Sequence, residues 1–303
     1  MTEILANGPA VVPITGTATH RRPALSPSRA ADFKQCPLLY RFRAVDRLPE
    51  TPSRVQVRGT VVHAVLERLF ALPPQRRDPE VAHELVEPVW RDVLAGNPEL
   101  AELFAGPEDP ELTKWLDSAR ALVGAYFALE DPRLVQPEAC EVLVEAELPA
   151  AGGEPLLLRG YIDRLDVAPT GEIRVVDYKS GAAPREVFEA KALFQMKFYA
   201  LVLLRIRGVV PRQLRLMYLA DRQALNYTPD KVELVRFERT LAAIWSAILR
   251  AAHSGDFRPN PSRMCDWCDH KPRCPAFGGT PPPYPGWPDP AGAGTATARD
   301  RAE

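Results

Sequence analysis

The segment that decides the fold covers residues 156–181 and reads LLLRGYIDRLDVAPTGEIRVVDYKSG. Apolar residues fill both halves, 156–167 and 172–179, and the turn sequence Ala-Pro-Thr-Gly separates them. This pattern predicts two neighbouring antiparallel strands. A third strand is predicted at 141–148. Helices precede these strands, and further helices and strands follow them, which favours an α/β fold with a central mixed β-sheet flanked by helices.

Three charged residues come together in the predicted hairpin. The short turn places Asp163 opposite Val176, to within one residue, and therefore near Asp177 across the two strands. Side chains alternate along a strand, so Asp177 and Lys179 project from the same face. The hairpin thus predicts two carboxylates and an ammonium group on a half-buried part of the sheet.

This combination indicates a site that cleaves phosphodiesters. Neighbouring carboxylates repel each other, and burying either one alone is costly. A divalent cation such as Mg²⁺ or Mn²⁺ relieves the repulsion and binds phosphate oxygens as well. The lysine can then neutralise the phosphate or position a hydroxide. An ordinary ion pair at the end of a hairpin is the alternative, and the carboxylate on the preceding strand makes it the less favoured one.

Three further side chains are candidates for the same site. His63 lies on a predicted helix that begins near Gly59, and it is a possible third metal ligand. Gln195 and Tyr199 are four residues apart on the helix predicted after the lysine strand, so they share a face. A histidine without ligand function and a polar stripe on a surface helix are the alternatives for these residues.

Cysteines form a second candidate metal site. Cys265, Cys268 and Cys274 have the spacing of metal ligands, and Cys36 is the natural fourth ligand far upstream. Cys140 lies in a strand-like segment and is interpreted as a small buried hydrophobic residue. Four thiolates can bind zinc or a [4Fe–4S] cluster. Zinc sites are usually built from two close pairs of ligands, so we favour the cluster, with Zn²⁺ as the alternative.

Composition limits the classes of protein. The chain has 303 residues, 46% of them hydrophobic, and a formal net charge of −1. These values exclude a fibrous or wholly disordered protein, and also a protein that binds nucleic acid mainly through bulk charge. No apolar run approaches the ~18 residues of a membrane span. We therefore expect a cytoplasmic protein without membrane contact.

The chain divides into one predicted domain and two tails. Residues 1–24 and the Pro- and Gly-rich residues 276–303 are predicted to be disordered. Residues 25–275 form the domain, and residues 78–130 within it are predicted to be a helical insertion packed beside the core. Residues 255–275 form a Cys-rich staple that joins Cys36. Local basic residues, Arg58 and Arg164 among them, are candidates for DNA contact.

Several motifs together resemble a known family. In chain order they are LSPSRAADFKQCPLLYRF with Cys36, RGTVVHAVLE with His63, GYIDRLD with Asp163, VVDYKSG with Asp177, and QMKFYA with Gln195. The cysteine triplet closes the set. This order resembles the PD-(D/E)XK nuclease superfamily, specifically RecB-like exonucleases with an iron–sulfur cluster, which are related to the AddB nuclease domain and to CRISPR adaptation nucleases. The resemblance covers residues 25–275 and implies a restriction-endonuclease-like core.

The resemblance also implies roles for individual residues. His63, Asp163, Asp177 and the Tyr178 carbonyl would hold Mg²⁺ or Mn²⁺, and Lys179 would position or activate the attacking water. Gln195 and Tyr199 would support the site or touch DNA. The four cysteines would hold [4Fe–4S] as a structural element.

The activity that follows is phosphodiester hydrolysis in DNA repair or recombination, on single-stranded DNA or DNA ends. A CRISPR adaptation-type nuclease, and a catalytically weak iron–sulfur DNA-binding subunit of a helicase–nuclease complex, are the alternatives. No phosphate-loop motif of the form GxxxxGK[ST] occurs in the sequence. We therefore expect the chain to act alone or with a separate helicase partner.

Overall fold

The computed structural model describes residues 22–149, 155–183 and 189–287. The helices are α1 (Pro27–Gln35), α2 (Pro37–Tyr40), α3 (Arg54–Ala71), α4 (Pro79–Glu84), α5 (Val86–Gly96), α6 (Pro110–Tyr126), α7 (Glu189–Arg207) and α8 (Lys231–Ser254). The strands are β1 (Ala24–Leu25), β2 (Ala139–Leu148), β3 (Leu156–Val167), β4 (Ile173–Lys179), β5 (Gln213–Tyr218) and β6 (Gln223–Tyr227). None of the helices within these ranges is both long and apolar enough to cross a membrane.

A single mixed sheet forms the centre of the domain. Its strand order is β1-β3-β4-β5-β6, and β2 pairs with β3 along the opposite edge. Strands β3 and β4 are antiparallel, whereas β4 and β5 are parallel because α7 connects them as a crossover helix. The predicted α/β class with a central mixed sheet flanked by helices is confirmed.

One edge of β3 has an unpaired stretch. Strand β1 pairs with β3 at Leu157 and Leu158, and β4 pairs with it from Arg164 to Val167. The other edge of β3 is occupied by β2 along nearly its whole length. The gap between the β1 and β4 pairings therefore leaves residues 159–163 open on one side, and Asp163 lies at its end.

Helices cover both faces of the sheet. Helices α1, α7 and α8 build one hydrophobic core with the apolar residues of β2, β3 and β5. Helices α3 to α6 build a second core against Val176, Tyr178, Met217 and Leu219. The predicted insertion at 78–130 is helical, but it is an integral layer because it covers one face of the sheet.

Helix α3 begins earlier than the sequence suggested. Ser53 and Gln56 form a capping box, in which each side chain accepts a hydrogen bond from the other residue's backbone N–H. The helix therefore begins at Arg54, and Gly59 lies inside it. The prediction placed the start near Gly59 because it treated this glycine as a boundary.

Parts of both predicted tails pack against the domain. Ala24 belongs to β1, and Arg22 forms an ion pair with Glu147 at 2.6 Å. At the other end, the Tyr284 hydroxyl donates to the Ala252 carbonyl at 2.9 Å, and Trp287 packs against the buried Trp245 ring. Apolar contacts thus hold residues 276–287 against the domain, which corrects the prediction for them. Residues 1–21 and 288–303 lie outside the described residues.

Candidate active site

Strands β3 and β4 separate at the point where the candidate carboxylates lie. Their pairing ends with Arg164 opposite Val176, so Asp163 is the next residue beyond it. The Asp163 carboxylate accepts a hydrogen bond from the Tyr178 backbone N–H at 2.6 Å, where a strand partner would otherwise accept it. The predicted pairing is confirmed to within its stated tolerance of one residue.

Asp177 and Lys179 lie together on β4, on the face that the alternation predicted. Lys179 Nζ is 2.7 Å from Asp177 Oδ2. Gln195 of α7 joins the two groups, because its amide nitrogen donates to Asp177 Oδ1 at 2.6 Å and its oxygen accepts from Lys179 at 3.0 Å. The structure therefore places Gln195 directly beside the candidate lysine.

Burial and charge set the protonation of this pair. Burial raises the pKa of Asp177, and the nearby Asp163 charge raises it further, against the lowering effect of Lys179. Burial alone would lower the pKa of Lys179, but the Asp177 carboxylate outweighs it and the net shift is upward. Lys179 is therefore a charged hydrogen-bond donor at neutral pH.

His63 reaches the same place from α3. Its Nδ1 atom lies 3.4 Å from Asp163 Oδ2 and 3.8 Å from Glu141 Oε1. These three residues can place one ligand atom each within 4.8 Å of one another. Burial would lower the pKa of His63, but the neighbouring Asp163 and Glu141 carboxylates raise it to about 10. Asp177 is not part of this group of three; its carboxylate instead pairs with Lys179.

Glu141 is a site residue that the sequence reasoning missed. It lies on β2 between Cys140 and Val142, which pair with Arg164 and Ile162 of β3, so its position is opposite Asp163. Its backbone is left-handed, with φ of 49°, an unusual conformation for a non-glycine residue within a strand.

Residues on either side of Glu141 in β2 face different hydrophobic cores. Cys140 packs with the core under α3–α6, whereas Val142 packs with the core under α7 and α8. A signal for Glu141 was present in the sequence. Pairing Leu148 with Leu156 across the loop between β2 and β3 would have placed Glu141 opposite Asp163.

Two glycines allow other elements to approach the site closely. A Cβ atom on Gly160 of β3 would lie 2.8 Å from the Tyr199 ring, so the ring of α7 packs directly on this strand. A Cβ atom on Gly59 of α3 would lie 3.1 Å from the Ser180 hydroxyl. The absence of a side chain at Gly59 therefore leaves room for the Ser180 side chain beside α3. Tyr199 is buried, and burial raises its pKa.

Arg164 lies in the core of the domain and not on a surface that could contact DNA. It is 0% exposed, and its guanidinium forms ion pairs with Glu130 at 2.7 Å and Asp166 at 3.0 Å. It also donates to the Tyr178 hydroxyl at 3.0 Å. An enclosed and fully paired arginine does not reach a phosphate, so the expectation of a DNA contact is corrected to a role in the core.

The remaining predicted residues lie near the same region. Tyr178 has a buried ring, and its N–H group contacts Asp163 as described above. Arg58 is half-buried on α3 and donates to the Ser118 hydroxyl of α6 at 3.1 Å. It therefore joins two helices.

The four predicted cysteine ligands line one small pocket. Cys36, between α1 and α2, meets Cys265, Cys268 and Cys274 there. Backbone N–H groups donate to two of the sulfurs, from Asn260 to Cys36 at 3.4 Å and from Ser262 to Cys265 at 3.3 Å. Cys140 lies elsewhere, against the core under α3–α6.

His270 is a buried and unsatisfied residue in the wall of this pocket. It is 1% exposed, and Nε2 lies 3.1 Å from Glu50 Oε1 without hydrogen-bond geometry. Burial lowers its pKa. Orphaned ring nitrogens of this kind fit a pocket that holds a group with acceptor atoms.

Comparisons with known proteins agree with the geometry. A family model described as the PD-(D/E)XK nuclease superfamily matches residues 24–275. The Gene 69 protein of Mycobacterium phage D29 is 26% identical over 282 residues, which cover 84% of this chain and 97% of the phage protein. The Gene 69 protein of Mycobacterium phage L5 is 22% identical over 295 residues, with the same coverage of each chain.

One solved structure shows the same fold. A candidate exonuclease from Eubacterium rectale aligns with a TM-score of 0.52 at 14% identity, over 82% of this chain and 87% of that chain. At this level of identity, the likeness concerns the fold alone.

Proposed function

The chain belongs to the PD-(D/E)XK nuclease superfamily, and we propose that it is a metal-dependent deoxyribonuclease that hydrolyses phosphodiester bonds in single strands or at DNA ends. One observation carries the proposal. His63, Glu141, Asp163, Asp177 and Lys179 come from four separate elements and converge where β3 and β4 separate. A purely structural ion pair does not require an imidazole and three carboxylates beside one lysine.

The residues present fit a divalent cation. An imidazole and carboxylates are suitable ligands for Mg²⁺ or Mn²⁺. His63, Glu141 and Asp163 can bring three ligand atoms to within 4.8 Å of one another, and the buried Asp177 carboxylate lies next to them with Lys179 at 2.7 Å. We propose that His63, Asp163, Asp177 and the Tyr178 carbonyl hold the ion, and that Glu141 adds a further carboxylate. When bound, the ion would supply positive charge for phosphate oxygens and acidity for a coordinated water.

Lys179 has the properties of a positioning donor. The Asp177 carboxylate raises the pKa of Lys179 against the effect of burial, which favours the protonated ammonium. Its hydrogen bond to Gln195 and its contact with Asp177 fix the direction of the ammonium group. Lys179 would therefore orient the attacking water and stabilise the charge that develops on the phosphate.

We propose a [4Fe–4S] cluster in the cysteine pocket, with Zn²⁺ as the alternative. All four cysteines line this pocket. Zinc sites are usually built from two close pairs of ligands, whereas here one remote cysteine joins a C-terminal triplet. The N–H···S hydrogen bonds and the unpaired His270 nitrogens suit a larger group with sulfide acceptors.

The RecB-like resemblance supports DNA repair or recombination in the cytoplasm as the setting.

The activity is tested with end-labelled single strands, linear duplex and closed circular duplex in Mn²⁺, with the Asp177→Ala variant as control. We expect the wild type to cleave the first two substrates and the variant to cleave none. The proposal fails if the wild type shows no cleavage that this substitution removes.

A further inference from the structure

A long groove connects the candidate active site with the cysteine segment. Its volume is about 1040 Å³. Lys179, Gln195 and Tyr199 of the candidate active site line it together with Met264, Trp267 and Cys268 of the cysteine segment. Helix α1 also lines the groove, as do Arg159 and Tyr161 from the open edge of β3. The cysteine segment is therefore a wall of the groove.

The charge of the groove differs from the charge of the chain. Among the described residues that line it, five are basic and one, Asp32, is acidic. The whole chain has a net charge of −1, so positive charge is concentrated here. Three of the five cations have anionic partners within the protein: Arg159 with Glu145, Arg43 with Asp32, and Lys179 with Asp177. The local excess nevertheless suits a polyanion better than any neutral or acidic ligand.

Two aromatic rings project from the groove into solvent. Trp267 is 75% exposed and Tyr161 is 54% exposed, although tryptophan is normally a highly buried residue. Trp267 is the last residue of a helical turn that Ser262 caps. Cys265 before it and Cys268 after it both line the cysteine pocket. The Trp267 backbone is thus held in place, and the ring is presented outward. Tyr161 lies two residues before Asp163, roughly 6.6 Å along β3 from the candidate metal site.

We propose that this groove is the path of single-stranded DNA, in which Trp267 and Tyr161 stack on bases while the basic side chains follow the phosphates. This inference rests on the proposed nuclease function and adds the route of the strand. Unpaired bases bind grooves that combine exposed aromatic faces with basic side chains. A duplex cannot use the rings in this way, because its base faces are already stacked on one another.

Binding is measured by fluorescence anisotropy with a labelled 15-nucleotide oligo(dT) in Ca²⁺. The variants are Trp267→Ala, Tyr161→Ala and Trp267→Phe, with Leu134→Ala as a matched control, since Leu134 is 84% exposed and does not line the groove. We expect each alanine variant in the groove to raise Kd roughly tenfold, the phenylalanine variant to retain most of the affinity, and the control to match the wild type. Wild-type affinity for Trp267→Ala would overturn the proposal.

A second readout covers the case in which Trp267→Ala folds poorly. Oligo(dT) should quench the tryptophan fluorescence of the wild type, and Trp267→Phe should lose this quenching while it still binds. Quenching that persists in Trp267→Phe contradicts stacking at this residue. The cleavage assay in Mn²⁺ is scored separately. Trp267-dependent binding without cleavage would refute the nuclease activity alone, whereas cleavage without that dependence would refute only the strand path.

Discussion

At the scale of single residues, Glu141 is the finding that most changes the view of the site. It brings a carboxylate to within 3.8 Å of His63 from a strand that carries no other candidate ligand among the described residues. Its left-handed backbone costs of order 1–3 kcal/mol. Such a cost is retained where the surrounding structure fixes the residue, and here it directs the carboxylate towards Asp163.

The Glu141→Gln variant tests this role. Replacing the charged ligand with an amide should weaken Mn²⁺ binding by about tenfold, because one anionic donor is lost from the site. Isothermal titration calorimetry measures the change. Glu147→Gln is the matched control, because Glu147 lies on the same strand, is exposed and pairs with Arg22. Equal Mn²⁺ affinity in the Glu141→Gln variant and the wild type would exclude Glu141 as a ligand.

At the scale of elements, Arg164 joins β3 to the segment after α6. Its partners are Glu130 and Asp166, and Arg174 of β4 pairs with the same two carboxylates. The four charges form one network under the sheet. Arg164 is 0% exposed, whereas the Arg174 side chain is 28% exposed. The two arginines therefore share partners but differ in burial.

The Arg164→Ala variant should lose stability and not only DNA affinity. Removing the buried member leaves Glu130 and Asp166 with only the more exposed Arg174 as partner, which should cost about 3 kcal/mol of unfolding free energy, the lower end of the range for breaking a buried ion pair. Arg174→Ala should cost about 1 kcal/mol or less, because solvent screens the more exposed pair. Urea unfolding measures both. A stable Arg164→Ala protein with weaker DNA binding would favour the original DNA-contact prediction.

The sequence predicted the elements of the site better than their boundaries. Strands β3 and β4, and the shared face of Asp177 and Lys179, follow from a short turn and strict alternation. The predicted start of α3 was wrong because the capping box formed by Ser53 and Gln56 was not recognised in the sequence. The two-residue strand β1 has no periodicity to detect, since its structure comes entirely from pairing with β3.

Non-local geometry explains what the sequence could not show about the site. The GYIDRLD motif does not distinguish an arginine that faces DNA from one that faces the core. In the structure Arg164 donates to the Tyr126 and Tyr178 hydroxyls in the core under α3–α6. Similarly, no local pattern indicates that Trp267 and Lys179 line the same groove, because they are far apart in the sequence.

At the scale of the whole molecule, the cysteine pocket joins the two ends of the domain. Cys36 follows α1, the other three cysteines follow α8, and Asn260 donates both to the Cys36 sulfur and to the Gln35 carbonyl. Bonds from the proposed cluster to the four thiols would close this long loop and remove much of the conformational freedom of the unfolded chain. The pocket should therefore stabilise the whole domain.

Cys36→Ser should remove the broad visible absorption of anaerobically purified protein and lower its Tm. Cys140→Ser is the matched control, because Cys140 is also partly buried but lies in the other core, so it should keep the absorption. Iron analysis and an absorption spectrum measure the result. Colourless wild-type protein that contains zinc would refute the cluster.

The most direct test of the central claim compares two variants in two assays, Mn²⁺ binding and cleavage of a single-stranded oligonucleotide. Asp177→Asn should lose both, because Asp177 is a proposed metal ligand. Lys179→Ala should still bind Mn²⁺ but cleave roughly 100-fold more slowly, because it removes a donor to the reacting phosphate and not a ligand. Wild-type cleavage rates in either variant would contradict the account.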